Sequence, residues 1–69
     1  MPNLHSSGRI IKVLERHGFE FVSQRGSHKK FRKGANVVIV SDPKKEVPMG
    51  TFHSILRQSG LKKENFKIP

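Results

Sequence analysis

Cysteine, tryptophan and tyrosine are absent from this 69-residue chain, and only five of its residues are acidic. Without cysteine there can be no disulfide and no thiolate metal site, so the core must close by packing alone or with a partner's help. No stretch approaches the roughly 20 apolar residues that span a bilayer. Met1 to Arg9 lacks the apolar core of a signal peptide, so a cytoplasmic location is expected. The five phenylalanines leave few rings on which bases could stack. No histidines or carboxylates stand at metal-ligand spacing, and there is no glycine-rich nucleotide loop. Neither a metal, a cofactor nor a small-molecule ligand is expected.

What the chain does have is positive charge. Fourteen Lys and Arg face five Asp and Glu, a net charge of +9. Such a surface attracts polyanions and speeds encounter with them. Nucleic acid is the first candidate partner. A membrane surface is disfavoured, because no amphipathic helix combines a lysine-rich face with large aromatic anchors. An acidic protein partner is compatible with the first candidate. The length fits one domain, residues 1–69, whose core is small because a chain this short buries only about 60% of its unfolded surface.

Ser6 and Ser7 can cap a helix over Ser7 to His17, with Ile10, Val13, Leu14 and His17 at helical spacing and Gly18 to end it. Phe19 to Gln24 is aromatic and β-branched with partial alternation, and predicts a strand. Arg25-Gly26-Ser27 reads as a tight turn, His28 to Lys33 as a second strand, Gly34-Ala35-Asn36 as a second turn, and Val37 to Val40 as a third strand. Short turns between successive strands imply an antiparallel meander. Ser41 to Gly50 is expected to be a loop. Thr51 is expected to cap a second helix that buries Phe52, Ile55 and Leu56 and ends at Gly60, and Leu61 to pack against that end. Lys62 to Pro69 reads as a basic tail with room for one more helical turn. The order α-β-β-β-α predicts a two-layer α+β domain: a three-stranded antiparallel sheet with two helices on one face. Double-stranded-RNA-binding domains share this order, an analogy of fold alone.

Within that frame the run Gln24-Arg25-Gly26-Ser27-His28-Lys29-Lys30-Phe31 carries the most chemistry. A neutral imidazole exchanges protons near neutral pH, and adjacent Arg and Lys can hold a phosphodiester. Period-two alternation puts His28, Lys30 and Arg32 on one face and Lys29 and Phe31 on the other. Phe31 must face the helices, so the His/Lys/Arg row faces solvent. Arg25 and the turn amides of Gly26 and Ser27 lie at its mouth, where backbone N–H groups can form an anion-binding concavity. Lys29, Lys30, Arg25 and Arg32 are the candidate RNA-binding cations. The blander account makes His28 an ordinary strand residue on a solvated basic face. His5 is expected in a frayed terminus and His17 at the end of the first helix. His53 is expected on the surface of the second, able to assist only if the fold brings it near His28. Lys44-Lys45 reads as a solvated pair.

Three linked segments bear a resemblance to a known family: Gly18-Phe19-Glu20-Phe21-Val22, then Gln24-Arg25-Gly26-Ser27-His28, then Gly50-Thr51-Phe52-His53-Ser54-Ile55-Leu56-Arg57-Gln58-Ser59-Gly60-Leu61. In order and spacing, from about Ser7 to Leu61, the chain resembles the HicA family of toxins. The resemblance implies a double-stranded-RNA-binding-domain-like fold and a ribosome-independent mRNA interferase of a type II toxin–antitoxin system. The implied partners are single-stranded mRNA and a HicB-type antitoxin. It places the catalytic histidine at His28 and its accompanying glycine at Gly26. Phe52 stands where leucine is usual, and His53 where arginine or lysine is common. Ser41-Asp42-Pro43 lacks a histidine that relatives often carry. The rival readings are a non-catalytic RNA-binding module of the same fold and a basic domain that docks an acidic protein. A DNA-binding role is weaker, since neither helix presents a base-reading face.

Overall fold

The computed structural model describes residues 4–67. Helix α1 (Ser7–Arg16) leads into strands β1 (Glu20–Arg25), β2 (His28–Lys33) and β3 (Asn36–Ser41), followed by helix α2 (Met49–Ser59) and a short 3-10 helix, Lys63–Phe66. The sheet order is β1-β2-β3, antiparallel throughout. The α+β architecture expected from the sequence is observed.

Local chemistry explains each boundary. Ser6 accepts the Arg9 N–H and caps α1. At the other end Gly18 adopts φ +91, and Gly18 and Phe19 donate to the carbonyls of Glu15 and Leu14 (3.1 and 2.9 Å). This paired closure needs a left-handed residue, which glycine supplies without strain. It also turns Phe19 into the core beside Leu14. Helix α2 differs from the expectation at its start. It begins at Met49, with Pro48 at the N-cap and no side-chain cap. Thr51 lies inside the first turn and is exposed. The fixed φ of Pro48 suits a helix start, and its carbonyl accepts the Phe52 N–H (2.9 Å).

One cluster forms the core: Ile10, Val13 and Leu14 from α1, Phe31, Val38 and Val40 from the sheet, Phe52 and Ile55 from α2, together with Phe19, Val47 and Phe66. Phe31 pairs with Val38 across the sheet, and Val40 lies two residues on, so both helices cover one face. Two parts of this core contradict the sequence reading. Val47, in the presumed loop, is 2% exposed, because the loop folds back on the N-terminal segment. Its N–H donates to the His5 carbonyl (2.8 Å), and Ser7 N–H donates to the Lys44 carbonyl (2.8 Å). His5 is therefore packed rather than frayed, its ring 4.8 Å from Phe52. The tail expectation is also corrected: the extra turn forms, but it delivers a fully buried Phe66 against Phe52 at 5.1 Å.

The two sheet edges are unlike. On β3, Ile39 N–H donates to Gln58 Oε1 (3.3 Å) and Asn36 Nδ2 donates to the Gln58 carbonyl (3.2 Å), so α2 covers that edge. Every residue of β1 is exposed.

Candidate functional site

Register fixes which side chains meet on the face away from the helices. Arg25 pairs with His28 and His28 with Ser41; Ser23 pairs with Lys30 and Lys30 with Ile39; Glu20 pairs with Arg32 and Arg32 with Val37. Cross-strand partners share a face, with Cβ atoms about 5 Å apart. The open face is thus three rows deep, and its first two rows hold Arg25, His28 and Lys30. A hollow of about 390 Å³ is lined by Ser23, Arg25, His28, Lys30 and Ile39. His28 is exposed at the start of β2, with its ring open to solvent.

The turn before His28 sets this arrangement. Gly26 and Ser27 are the only residues between the paired Arg25 and His28. Gly26 has φ +60, and among the described residues only glycines take positive φ. That is the pattern of a two-residue hairpin turn with glycine first, whose twist matches the strands. A Cβ at Gly26 would meet nothing within 4 Å, so the demand for glycine is conformational. The turn is pinned on both sides. Gln24 Nε2 donates to the Gly26 carbonyl (2.8 Å), and Asp42 N–H donates to the Ser27 carbonyl (2.7 Å).

A β-bulge in β1 completes the face. The register shifts between Phe21 and Ser23, so Val22 is the extra residue. Strand side chains alternate, and one inserted residue reverses every face assignment beyond it. Phe21 stays in phase with Phe31, whose ring it meets edge-on at 5.9 Å. Ser23 and Arg25 stay in phase with His28. Without an extra residue, the run of β1 could not put both Phe21 on the helix side and Arg25 on the open side.

Lys29, counted with the phosphate-binding cations from sequence, lies on the helix-side face. Its Nζ is 2.7 Å from Asp42 Oδ2. Asp42 Oδ1 also accepts from Ser7 Oγ (2.6 Å), which in turn accepts from Lys44 N–H (2.8 Å). The hydrogen bond from Lys29, then that from Ser7, holds the Asp42 carboxyl below its usual range, helped by the Lys29 charge and against partial burial. This cluster ties α1, the start of β2 and the 42–44 loop together behind the site. Arg32 is on the open face but one row beyond the hollow, beside Glu20. His53 is exposed on α2, in the layer on the far side of the sheet from His28, and is not brought to it. His17 caps the end of α1. Burial, then the Arg9 charge, pushes His5 below the ordinary imidazole range, and its Nδ1 is buried without a partner.

Ser23 and Ile39 line the hollow without having been singled out from sequence. Ser23 was accessible in principle, two residues before Arg25. Ile39 required the β2–β3 register. Among the described residues, no three His, Asp or Glu side chains are grouped as metal ligands, and no helix is long and apolar enough to cross a membrane.

The family model for the HicA toxin of bacterial toxin–antitoxin systems matches residues 7–61, a span that contains the turn, the hollow and both helices. No curated protein matches the chain in sequence.

Proposed function

The chain belongs to the HicA family, toxins of bacterial toxin–antitoxin systems, and from that premise we propose that it is an mRNA interferase that cleaves single-stranded RNA on the open face of its sheet. The observation that carries this reading is the hollow where an exposed His28 stands between Arg25 and Lys30. Arg25, Lys30 and, one row on, Arg32 hold successive phosphates. His28 takes the proton from a ribose 2′-hydroxyl as that oxygen attacks the adjacent phosphorus. The bond to the 5′-oxygen breaks, and the leaving oxygen takes a proton from water in the open hollow. The products are a 2′,3′-cyclic phosphate and a 5′-hydroxyl. A positioned base contributes about 10²–10⁴-fold; the cations steady charge on the phosphorane and supply a further share. Gly26 and Ser27 support the site by fixing where β2 starts.

No metal is assigned a role, because the neighbours of His28 are cations that repel one. A HicB-type antitoxin neutralises the protein by covering the His28 face, its acidic character matching the +9 charge. The α-β-β-β-α order shared with double-stranded-RNA-binding domains is consistent with an RNA partner.

The test is His28→Ala. The variant is expected to fold and to bind RNA with unchanged salt dependence, while cleavage of a labelled single strand falls by at least about 10²-fold and growth arrest on expression disappears. Undiminished cleavage by the variant in EDTA refutes the role of His28. Absence of cleavage by the wild type, with RNA binding retained, leaves a non-catalytic RNA-binding module.

A further inference from the structure

We propose that the outer edge of β1 is the docking line for an extended acidic segment of the antitoxin, which adds to the sheet as a further strand. The proposal rests on the reading of the chain as an antitoxin-controlled toxin and adds the geometry of that control.

The sheet has two edges, and α2 occupies one through Gln58. The other is open along its whole length. Among the described residues the only strand beside β1 is β2, and all six β1 residues are exposed. Among the described residues, no backbone hydrogen bond leads from Glu20–Arg25 to any element other than β2. In a two-residue hairpin the pair flanking the turn, Arg25 and His28, is the hydrogen-bonded one, so the N–H and C=O of Gln24 point outward. Exposed edges are normally blunted by charge, proline or a bulge. Here charge stands only at the two ends, Glu20 and Arg25, and the bulge at Val22 is the single interruption. Phe21 and Val22 are 53% and 46% exposed. These are the parts of a strand-addition site: free main-chain groups for affinity and an apolar side chain for an alternating partner residue.

The charge of the surroundings selects the occupant. A strand laid along β1 alternates its side chains between the two faces. On the open face its neighbours on β1 are Arg25, Ser23 and Glu20, with His28, Lys30 and Arg32 one strand further in, so carboxylates fit best toward the Arg25 end. On the helix side an apolar residue covers Phe21. A second copy of this chain would bring another +9 to the same place and is disfavoured. The carboxylates of an added strand would reach the rim of the His28 hollow, where an RNA phosphate otherwise sits. Edge pairing and site occlusion would then be one event.

The experiment titrates the full chain by NMR, to millimolar concentration, with a blocked heptapeptide alternating glutamate and valine. A twin N-methylated on its protein-facing amides keeps the charge and loses the main-chain donors. The first peptide is expected to shift the Gln24 amide and to give cross-strand contacts with it. The twin is expected to bind about tenfold more weakly or worse, because each lost main-chain hydrogen bond contributes a few-fold. Gln24→Pro removes the outward N–H at a position where an edge strand tolerates proline; its spectrum checks folding, and it should weaken the first peptide similarly. Three results overturn the proposal: equal binding of the two peptides with shifts confined to His28 and Lys30, self-association of the chain through β1, or no binding at all. RNA cleavage by the peptide-free protein is assayed separately. Its failure removes the nuclease reading and leaves the pairing result legible, and pairing can fail while cleavage stands.

Discussion

The two faces of β2 show how six residues divide their labour. On the helix side, Phe31 is 2% exposed at the centre of the core, and Lys29 is held by Asp42. On the open side, His28, Lys30 and Arg32 are exposed and, among the described residues, touch no carboxylate within ion-pair distance. Residues one position apart thus have opposite duties. Two lysines side by side differ because one has its charge neutralised to build the scaffold, whereas the other keeps it available. Sequence charge alone does not separate them; sheet parity does.

The comparison breaks most sharply at Phe31. Phe31→Ala should cost about 3–5 kcal/mol, against a total stability of roughly 3–10 kcal/mol for a domain of this size. Urea unfolding followed by circular dichroism should show a midpoint near zero denaturant, while His28→Ala keeps the wild-type midpoint. A stable Phe31→Ala protein would mean that the helix face is not the structural one.

The lysine pair gives the next largest contrast. Lys30→Ala should weaken RNA binding and flatten the slope of log affinity against log salt by about 0.7, the value for one lost phosphate contact on a single strand. Lys29→Ala should leave that slope unchanged and instead lower stability by about 1 kcal/mol. Equal slopes for the two variants would erase the division between the faces.

Acid sharpens the comparison from the scaffold side. The folded Asp42 carboxyl lies below its unfolded value. Its contribution is therefore complete above the unfolded pKa, about 4, and is lost as pH falls through the folded pKa. Asp42→Asn should flatten the decline of the thermal midpoint in that acid range. His5 acts at higher pH. With its folded pKa depressed, its contribution is complete above about 6.5 and fades as pH drops below that value. His5→Phe should remove this earlier decline. Unchanged midpoint-versus-pH curves for both variants would dissociate these groups from the scaffold.

The smallest expected effect comes from deleting Val22. Removing the extra residue lets Phe21 and Ser23 follow each other with both faces retained, so stability should change by no more than about 0.5–1 kcal/mol. NMR should still find Arg25 opposite His28. Loss of that pairing would show that the bulge does more than keep the strand in phase.

Much of this was legible in the chain. The α-β-β-β-α order, both turns and the solvent-facing row of His28, Lys30 and Arg32 follow from glycine placement and alternation over short distances. Only part of β1 alternates in the sequence, with Phe21 and Val22 adjacent, and the bulge is the physical reason. Three features stayed hidden because they depend on segments far apart in the chain. Val47 sits between Glu46 and Pro48, and Phe66 sits between Asn65 and Lys67 in a polar, basic stretch, so neither has the periodicity that marks a core position. The pairing of Lys29 with Asp42 spans the sheet and a loop. The helix start at Met49 was displaced because Gly50 resembles loop sequence, whereas in place it extends the first turn. The Arg25, His28 and Lys30 that line the hollow lie in one local stretch of sequence, whereas their backing from Asp42 and Ser7 joins distant segments.

Gln58 gives the molecule a valence. Because its side chain accepts the Ile39 N–H and its carbonyl the Asn36 side chain on the β3 edge, lateral growth of the sheet is favoured from β1. A unit with one edge partly capped and the other open takes up a further strand more readily on the open side, which biases it against serving as a middle link in a chain.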